Sequence, residues 1–173
     1  CAPPQNTARS IGEIDPLPPL PACVSIDSTV PVLKTGAGVE FVRTPDSAFE
    51  GTRAAFSFDP KYVDLDGLRM AYYEANPNST TGETILLLHG QPTWGYLYRK
   101  MLPPLAASGH RVIAVDLMGL GRSDKPIAQK VYTYEQQVAW MKGLVIALDL
   151  KGVTLFCQDW GGLIGLRVVG DLP

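Results

Sequence analysis

Three short apolar runs, each followed at once by a turn containing glycine and polar residues, constrain the fold of this chain most. Runs of this length and character are typical of strands buried on both faces of a sheet. A helical pattern follows each of them, and this alternation predicts an α/β protein with a mostly parallel sheet, whose ligands bind beyond the carboxyl ends of the strands. The runs are residues 83–89, 111–116 and 152–158, and the predicted helices are residues 96–107, 134–148 and 161–170.

A hairpin is predicted upstream of these units. Residues 61–65 and 68–74 have the pattern of two strands, and the Asp-Gly pair at residues 66–67 between them favours a tight turn. In the predicted helix over residues 96–107, we expect the proline pair at residues 103–104 to end or kink the helix.

The first 40 residues differ in composition from the rest. They hold seven prolines and no aromatic residue, so we expect residues 1–40 to form a Pro-rich N-terminal tether or extension and residues 41–173 to form one globular domain. The first residue, Cys1, is consistent with a mature bacterial lipoprotein, which would be periplasmic or anchored to a membrane through lipid on Cys1. The alternative is a fragment boundary and a cytoplasmic protein.

Composition excludes several classes of function. The formal net charge is −2, with 15 basic and 17 acidic residues, and no basic stripe suggests a nucleic-acid partner. The apolar runs are far shorter than the ~20 residues that cross a bilayer. The three cysteines contain no CxxC pair and the two histidines lie far apart, so we expect no metal site.

The end of the third predicted strand is the most informative part of the sequence. Residues 157–162, Cys-Gln-Asp-Trp-Gly-Gly, have the form of a nucleophile elbow, in which a strand turns sharply into a helix. Cys157 and Gly161 are the small residues that this turn needs on either side of its central residue, Asp159. A carboxylate needs no base to attack an sp³ carbon that bears a leaving group, and the product is a covalent ester. The alternative role for Asp159 is a helix N-cap.

Neighbouring residues offer hydrogen-bond donors for such a reaction. The indole N–H of Trp160 is a donor without an acceptor, which suits a departing anion, although Trp160 could instead be a core residue. The backbone N–H groups of Trp160 and Gln91 are candidates for an oxyanion hole during hydrolysis of the ester.

With these motifs, residues 40–173 resemble the N-terminal part of a haloalkane dehalogenase of the α/β-hydrolase fold. An Asp-Trp elbow joined to His-Gly-x-Pro-Thr-Trp separates dehalogenases from most of their relatives. The segments at residues 43–46 and 62–64 fit the same family. The motifs that carry the resemblance are residues 89–99 (His-Gly-Gln-Pro-Thr-Trp-Gly-Tyr-Leu-Tyr-Arg), 116–126 (Asp-Leu-Met-Gly-Leu-Gly-Arg-Ser-Asp-Lys-Pro) and 158–162 (Gln-Asp-Trp-Gly-Gly).

The resemblance implies the roles of the site residues. Asp159 would be the nucleophile, and Trp160 and Gln91 would bind the halide, with Gln91 standing where the family commonly has Asn or Glu. His89 and Gly90 would support the loop that carries the oxyanion hole. The expected ligands are a small haloalkane and a halide ion, with no metal or organic cofactor.

Three other residues have less specific roles. Trp94 either lines the substrate pocket or packs beneath the loop. Asp116 and Asp124 are expected to cap turns rather than to catalyse, because in this family their loop is structural. That loop also imitates a dinucleotide fingerprint and a serine elbow, but Asp124 and Lys125 stand where those motifs require glycine.

Hydrolysis of the ester also needs a base to activate water and an acid to orient that base. In the family that the chain resembles, both lie far downstream, after a helical cap domain. We therefore expect residues 41–173 to hold the hydrolase core only as far as the elbow helix, without the cap domain and the last strands. Such a chain would be alkylated once at Asp159 without turnover.

Two other functions remain open from the sequence. An epoxide hydrolase has the same Asp elbow and a similar His-Gly-x-Pro loop, but opens its substrate with tyrosine donors from the cap. A non-catalytic, lipid-tethered binding domain of the same fold is the alternative from a different class.

Overall fold

The computed structural model describes residues 30–79 and 82–172. Most of the predicted Pro-rich tether, residues 1–40, lies outside the described residues, as does Cys1 with its predicted lipid. Regular structure nevertheless begins before the expected domain boundary, because the first strand is Leu33–Lys34.

The described residues contain the predicted hairpin and the predicted alternation of strands and helices, together with three short strands that the sequence did not predict. Three short 3₁₀ helices, Asp46–Thr52, Gly95–Tyr98 and Gln129–Val131, lie between the regular elements. The strands are β1 (Leu33–Lys34), β2 (Glu40–Val42), β3 (Lys61–Leu65), β4 (Leu68–Ala75), β5 (Thr84–Leu88), β6 (Arg111–Val115), β7 (Lys125–Pro126) and β8 (Val153–Cys157), and the α-helices are α1 (Leu102–Ala107), α2 (Tyr134–Ala147) and α3 (Trp160–Asp171).

The main sheet is mixed rather than mostly parallel, which corrects the sequence prediction. Its five strands have the order β3-β4-β6-β5-β8, and β5 is parallel to both β6 and β8. The pairs β3–β4 and β4–β6 are antiparallel. The difference arises because the predicted hairpin joins the same sheet, and two strands linked by a tight turn must run in opposite directions. A separate three-stranded sheet has the order β1-β2-β7.

The hydrophobic core lies on both faces of the main sheet. Along β5, Leu86 and Leu88 point to one face and Leu87 to the other, because successive side chains of a strand alternate. Helices α2 and α3 cover the first face, and α1 with the preceding 3₁₀ helix covers the second. No helix among the described residues is long and apolar enough to span a bilayer.

The predicted hairpin is confirmed, with Leu65 paired to Leu68 and positive φ angles of 55° at Asp66 and 87° at Gly67. The predicted helix over residues 96–107 is wrong in its extent. Residues 95–98 are a 3₁₀ helix, and α1 starts only at Leu102. The proline pair at residues 103–104 lies in the first turn of α1, where a missing N–H costs no helical hydrogen bond, so the prolines begin the helix instead of ending it.

Candidate active site

The carboxyl ends of β5 and β8 lie side by side and bring two of the predicted motifs together. Leu88, the last residue of β5, is paired with Cys157, the last residue of β8. The turns that follow are residues 89–94 and 158–160, and they therefore meet above the same edge of the sheet.

Asp159 stands at the sharp turn between β8 and α3. Its backbone has φ 54° and ψ −127°, a region that residues other than glycine rarely adopt, and its side chain makes no N-cap hydrogen bond. Gly161 allows the turn to sit against β5, since a Cβ at that position would overlap the carbonyl oxygen of Leu88. These features are those of a nucleophile elbow, and the alternative N-cap role of Asp159 is not observed.

Two backbone donors stabilise the Asp159 carboxylate. The N–H of Gln91 donates to Oδ1 at 2.9 Å, and the N–H of Trp160 also donates to this carboxylate. The donation from Trp160, followed by that from Gln91, lowers the pKa of Asp159 from its ordinary value. Gly90 makes the close approach possible, because a Cβ on Gly90 would overlap the side chain of Asp159. The lowered pKa favours the anionic form of this exposed carboxylate.

His89 supports the loop after β5 through buried hydrogen bonds to backbone groups, and neither of its ring nitrogens bonds to Asp159. Its ring is completely buried, and Nε2 accepts the N–H of Leu117 at 3.0 Å. An accepting Nε2 is unprotonated, so the proton is on Nδ1, which donates to the carbonyl oxygen of Gly90 at 2.8 Å. Burial lowers the pKa of His89 and favours this neutral form.

A cleft of about 340 Å³ opens beside the elbow. The side chains of Gln91 and Trp160 both line it, and Trp160 is 41% exposed. The remaining wall comes from the loop after β6 and from the start of α2. That wall includes Leu117, Met118, Leu120, Tyr132, Thr133, Tyr134 and Gln137.

Trp94 packs in an aromatic cluster and is not among the residues that line this cleft. Its ring stacks on Tyr96 with centroids 5.3 Å apart and meets Phe49 edge-on at 5.1 Å. Phe56 and Tyr73 complete the cluster. These contacts favour packing beneath the loop, and both roles expected for Trp94 stay predictions.

Asp116 and Asp124 hold loops together, as the sequence predicts. Asp116 is completely buried and accepts the N–H groups of Gly95 at 2.7 Å and Arg122 at 2.8 Å. Burial raises the pKa of Asp116 to about 6. Asp124, also buried, accepts two hydrogen bonds from the guanidinium of Arg43, at 2.7 and 2.8 Å.

Two features of the site were missed in the sequence. The side-chain Oε1 of Gln158 accepts the N–H of Gly90 at 3.1 Å, and the hydroxyl of Tyr98 donates to the carbonyl oxygen of Leu88 at 2.7 Å. Gln158 could have been found from its place directly before Asp159, where the elbow turns against β5. The signal for Tyr98 is weaker, because an aromatic residue in a predicted helix gives no sign that its hydroxyl reaches a strand end.

Neither histidine of the sequence is placed to activate water at Asp159. His89 uses both ring nitrogens in the buried contacts described above, and His110 lies beside Glu83, with Nδ1 3.2 Å from the carboxylate. Within residues 30–79 and 82–172, no group of three or more His, Cys, Asp or Glu side chains could hold a metal ion.

Comparison with known proteins agrees with this geometry. A curated haloalkane dehalogenase from Psychrobacter cryohalolentis is 51% identical over 140 residues, which cover 78% of this chain and 45% of that relative. A solved haloalkane dehalogenase structure from Paraglaciecola agarilytica, described as tetrameric, has a TM-score of 0.73 and 46% identity over 78% of this chain and 46% of its own. The predicted resemblance to haloalkane dehalogenases is thereby confirmed.

Epoxide hydrolases are more distant neighbours. A solved structure of an epoxide hydrolase mutant from Vigna radiata has a TM-score of 0.59 and 29% identity, covering 66% of this chain and 35% of its own. The chain spans about half the length of the curated relatives it matches. The family model described as "alpha/beta hydrolase fold" matches residues 83–173, which include β5, β6, β8 and the elbow. The chain therefore belongs to the alpha/beta hydrolase fold family.

Proposed function

We propose that this chain carries the nucleophilic half of a haloalkane dehalogenase site. The observation that supports this most directly is the carboxylate of Asp159, which stands at a strained elbow and accepts hydrogen bonds from Gln91 and Trp160, two residues that line an open cleft. The substrate would be a small haloalkane, and the products an alcohol, a halide ion and a proton.

In the first step, Oδ2 of Asp159 attacks the carbon that bears the halogen from the side opposite the halogen. Oδ2 is the attacking atom because Oδ1 is occupied by the N–H of Gln91. A carbon–oxygen bond forms while the carbon–halogen bond breaks, and the bonding pair leaves with the halide. No proton is transferred, so the anionic carboxylate is the reactive form.

The departing halide needs hydrogen-bond donors. The indole N–H of Trp160 is a donor without an acceptor, and the NH₂ of the Gln91 side-chain amide supplies a second N–H group. Both side chains line the same cleft, which supports a shared role in holding the halide. A Gln amide donates as an Asn amide does, so we expect Gln91 to change the shape of the halide position more than its chemistry.

In the second step, water adds to the carbonyl carbon of the aspartyl ester. Negative charge then develops on Oδ1, which already accepts the N–H of Gln91, so this donor needs no reorganisation. The water must give up a proton to a base. His89 and His110 are both engaged elsewhere, so neither is placed to serve as that base.

The covalent step separates this proposal from its alternatives. We expect the purified chain, mixed with excess 1-bromobutane, to release about one bromide per chain in a single phase, since the ester forms but is not hydrolysed. The Asp159→Asn variant should release none. The measurement is bromide concentration against time.

Three other outcomes would contradict the proposal. Continued bromide release over many equivalents would mean that a base is present among these residues. A covalent adduct with styrene oxide, without bromide release from 1-bromobutane, would favour an epoxide hydrolase. A folded chain that reacts with neither compound would favour a non-catalytic binding domain.

A further inference from the structure

We infer that Gln158 is a positioning residue for this reaction, which fixes the Gly90–Gln91 peptide so that its N–H meets Asp159. The inference rests on the proposed function. Gln158 makes two contacts with the end of β5: its backbone N–H donates to the carbonyl oxygen of Leu88 at 3.2 Å, and its side-chain Oε1 accepts the N–H of Gly90 at 3.1 Å. The residue next to the nucleophile is thus tied to the loop that carries the opposing donor.

Three successive backbone groups of this loop are held by different partners. The N–H of Gly90 is held by Gln158, and the carbonyl of Gly90 accepts hydrogen bonds from Nδ1 of His89 and from the backbone and hydroxyl of Thr93. The N–H of Gln91 then points to Asp159. The N–H and C=O of a trans peptide point in opposite directions, so the donors on the Gly90 carbonyl direct the Gln91 N–H.

Gly90 is the point at which this arrangement could fail. It must be glycine, because a Cβ there would overlap Asp159, and glycine has more backbone freedom than any other residue. Without a side chain at this position, hydrogen bonds alone restrain rotation about Gly90. Gln158 bonds to the N–H of Gly90. His89 and Thr93 bond to the carbonyl oxygen of Gly90.

The chemistry of the Gln158 side chain fits a positioning role better than a packing role. Gln158 is exposed, so the side chain fills no core space. A carboxylate at the same place would also accept the Gly90 N–H, but it would add a second negative charge beside Asp159 and oppose ionisation of the nucleophile. The amide accepts the hydrogen bond without that cost.

Nuclear magnetic resonance of the whole chain tests this role without any halogenated compound. In Gln158→Met, which keeps the length of the side chain but removes the acceptor, we expect solvent exchange of the Gly90 amide to accelerate about tenfold, as for one lost hydrogen bond. The pKa of Asp159 should rise, because the Gln91 N–H is no longer held in place. The melting temperature should not change.

Two further variants separate positioning from a general change in structure. Gln158→Glu should restore slow exchange at Gly90 while raising the pKa of Asp159 through its charge. Gln136→Met, the same substitution at a half-buried position of α2, should change neither quantity.

The inference is overturned if the Gly90 amide of the unchanged chain exchanges as fast as a solvated loop amide, a result that needs no variant. It is also overturned if Gln158→Met leaves both the Gly90 exchange and the Asp159 pKa unchanged. If Gln158→Met does not fold, the Gly90 exchange rates of the unchanged chain and of Gln158→Glu test the inference instead. A chain that shows the expected amide and pKa changes but never reacts with a haloalkane contradicts the proposed function and leaves this inference standing.

Discussion

At the scale of single residues, the candidate site depends on one aspartate whose backbone is strained and whose carboxylate is ionised. The positive φ of Asp159 costs about 1–3 kcal/mol and persists only because its surroundings enforce it. The same turn places the carboxylate against the N–H groups of Gln91 and Trp160, which lower its pKa. The backbone strain and the anionic charge therefore have one structural origin.

The protonation of His89 gives a prediction at this scale. Its native pKa is below the ordinary value of 6.5, so between these two values the unfolded chain binds a proton at His89 that the native chain does not. The contribution of His89 to stability is therefore complete above pH 6.5 and falls as the pH drops below it. We expect a titration of the folded chain followed by ¹⁵N shifts to place the midpoint of His89 below 6.5, with the proton of the neutral ring on Nδ1.

Direct observation of the ring is the appropriate measurement, because Asp116 acts in the opposite direction. Its pKa is raised to about 6, so the native chain binds that proton before the unfolded chain does, and acidification below pH 6 adds stability. A melting curve would mix the two effects. A midpoint for His89 at or above 6.5 in the folded chain would contradict the account.

The sequence predicts most of the residues of the candidate site but not the contacts between them. Asp159, Trp160 and Gln91 could be identified because the elbow and the loop after β5 are local motifs with fixed spacing. The bond from Gly90 to Gln158 could not, because it depends on a side-chain rotamer and on the parallel pairing of β5 with β8. The wall of the cleft formed by the start of α2 is equally remote from the elbow in sequence.

At the scale of elements, α3 must lie close to β5 for the elbow to form. Gly161 and Gly165 make this possible, since a Cβ at Gly161 would overlap backbone atoms of Leu88 and His89, and one at Gly165 would press on Leu155 and Leu88. Gly170, near the end of the same helix, has no atom within 4 Å of its would-be Cβ. Close packing therefore requires glycine at positions 161 and 165 but not at position 170.

This difference predicts opposite effects for the same substitution in one helix. Gly161→Ala should destabilise the chain by about 1–3 kcal/mol, because rigid backbone atoms cannot yield to the new methyl group. Gly170→Ala should leave stability unchanged or raise it by about 0.5–1 kcal/mol through helix propensity. Denaturant unfolding of both variants is the measurement, and equal losses in the two would show that α3 does not pack as described.

The elements that sequence analysis misplaced share a physical cause. The prolines at residues 103–104 were expected to end or kink a helix. Whether a proline begins or breaks a helix depends on where the helix starts, and the pattern of side chains alone does not give that position. The mixed sheet has a similar origin, because nothing in the hairpin sequence indicates that β4 pairs with β6. Element type follows from local pattern, whereas pairing and start points depend on tertiary contacts.

At the scale of the whole molecule, Asp124 joins the small sheet to the main one. Asp124 lies directly before β7 and accepts, through both oxygens, the guanidinium of Arg43, which follows β2 of the same small sheet. It also accepts the N–H of Arg69 in β4 of the main sheet at 2.7 Å. The carboxylate is completely buried and the Arg43 side chain is 33% exposed. Removing Arg43 would leave a buried charge with fewer partners.

We therefore expect Arg43→Ala to lower the free energy of unfolding by about 2–4 kcal/mol, as for a broken buried ion pair. The matched control is Arg53→Ala, which breaks the exposed pair with Asp59 and should cost less than about 1 kcal/mol. Urea unfolding of both variants gives the comparison. A loss at Arg43 no larger than that at Arg53 would mean that this ion pair does not stabilise the buried Asp124 carboxylate as described.

The central claim, that Asp159 is an alkyl acceptor, is tested most directly by locating the bond. After treatment with 1-bromobutane and proteolysis, mass spectrometry of the peptides should find one butyl group, on Asp159, and should find none on the corresponding peptide of Asp159→Asn. A butyl group on Cys157 or another side chain, with Asp159 unmodified in a folded chain, would contradict the claim.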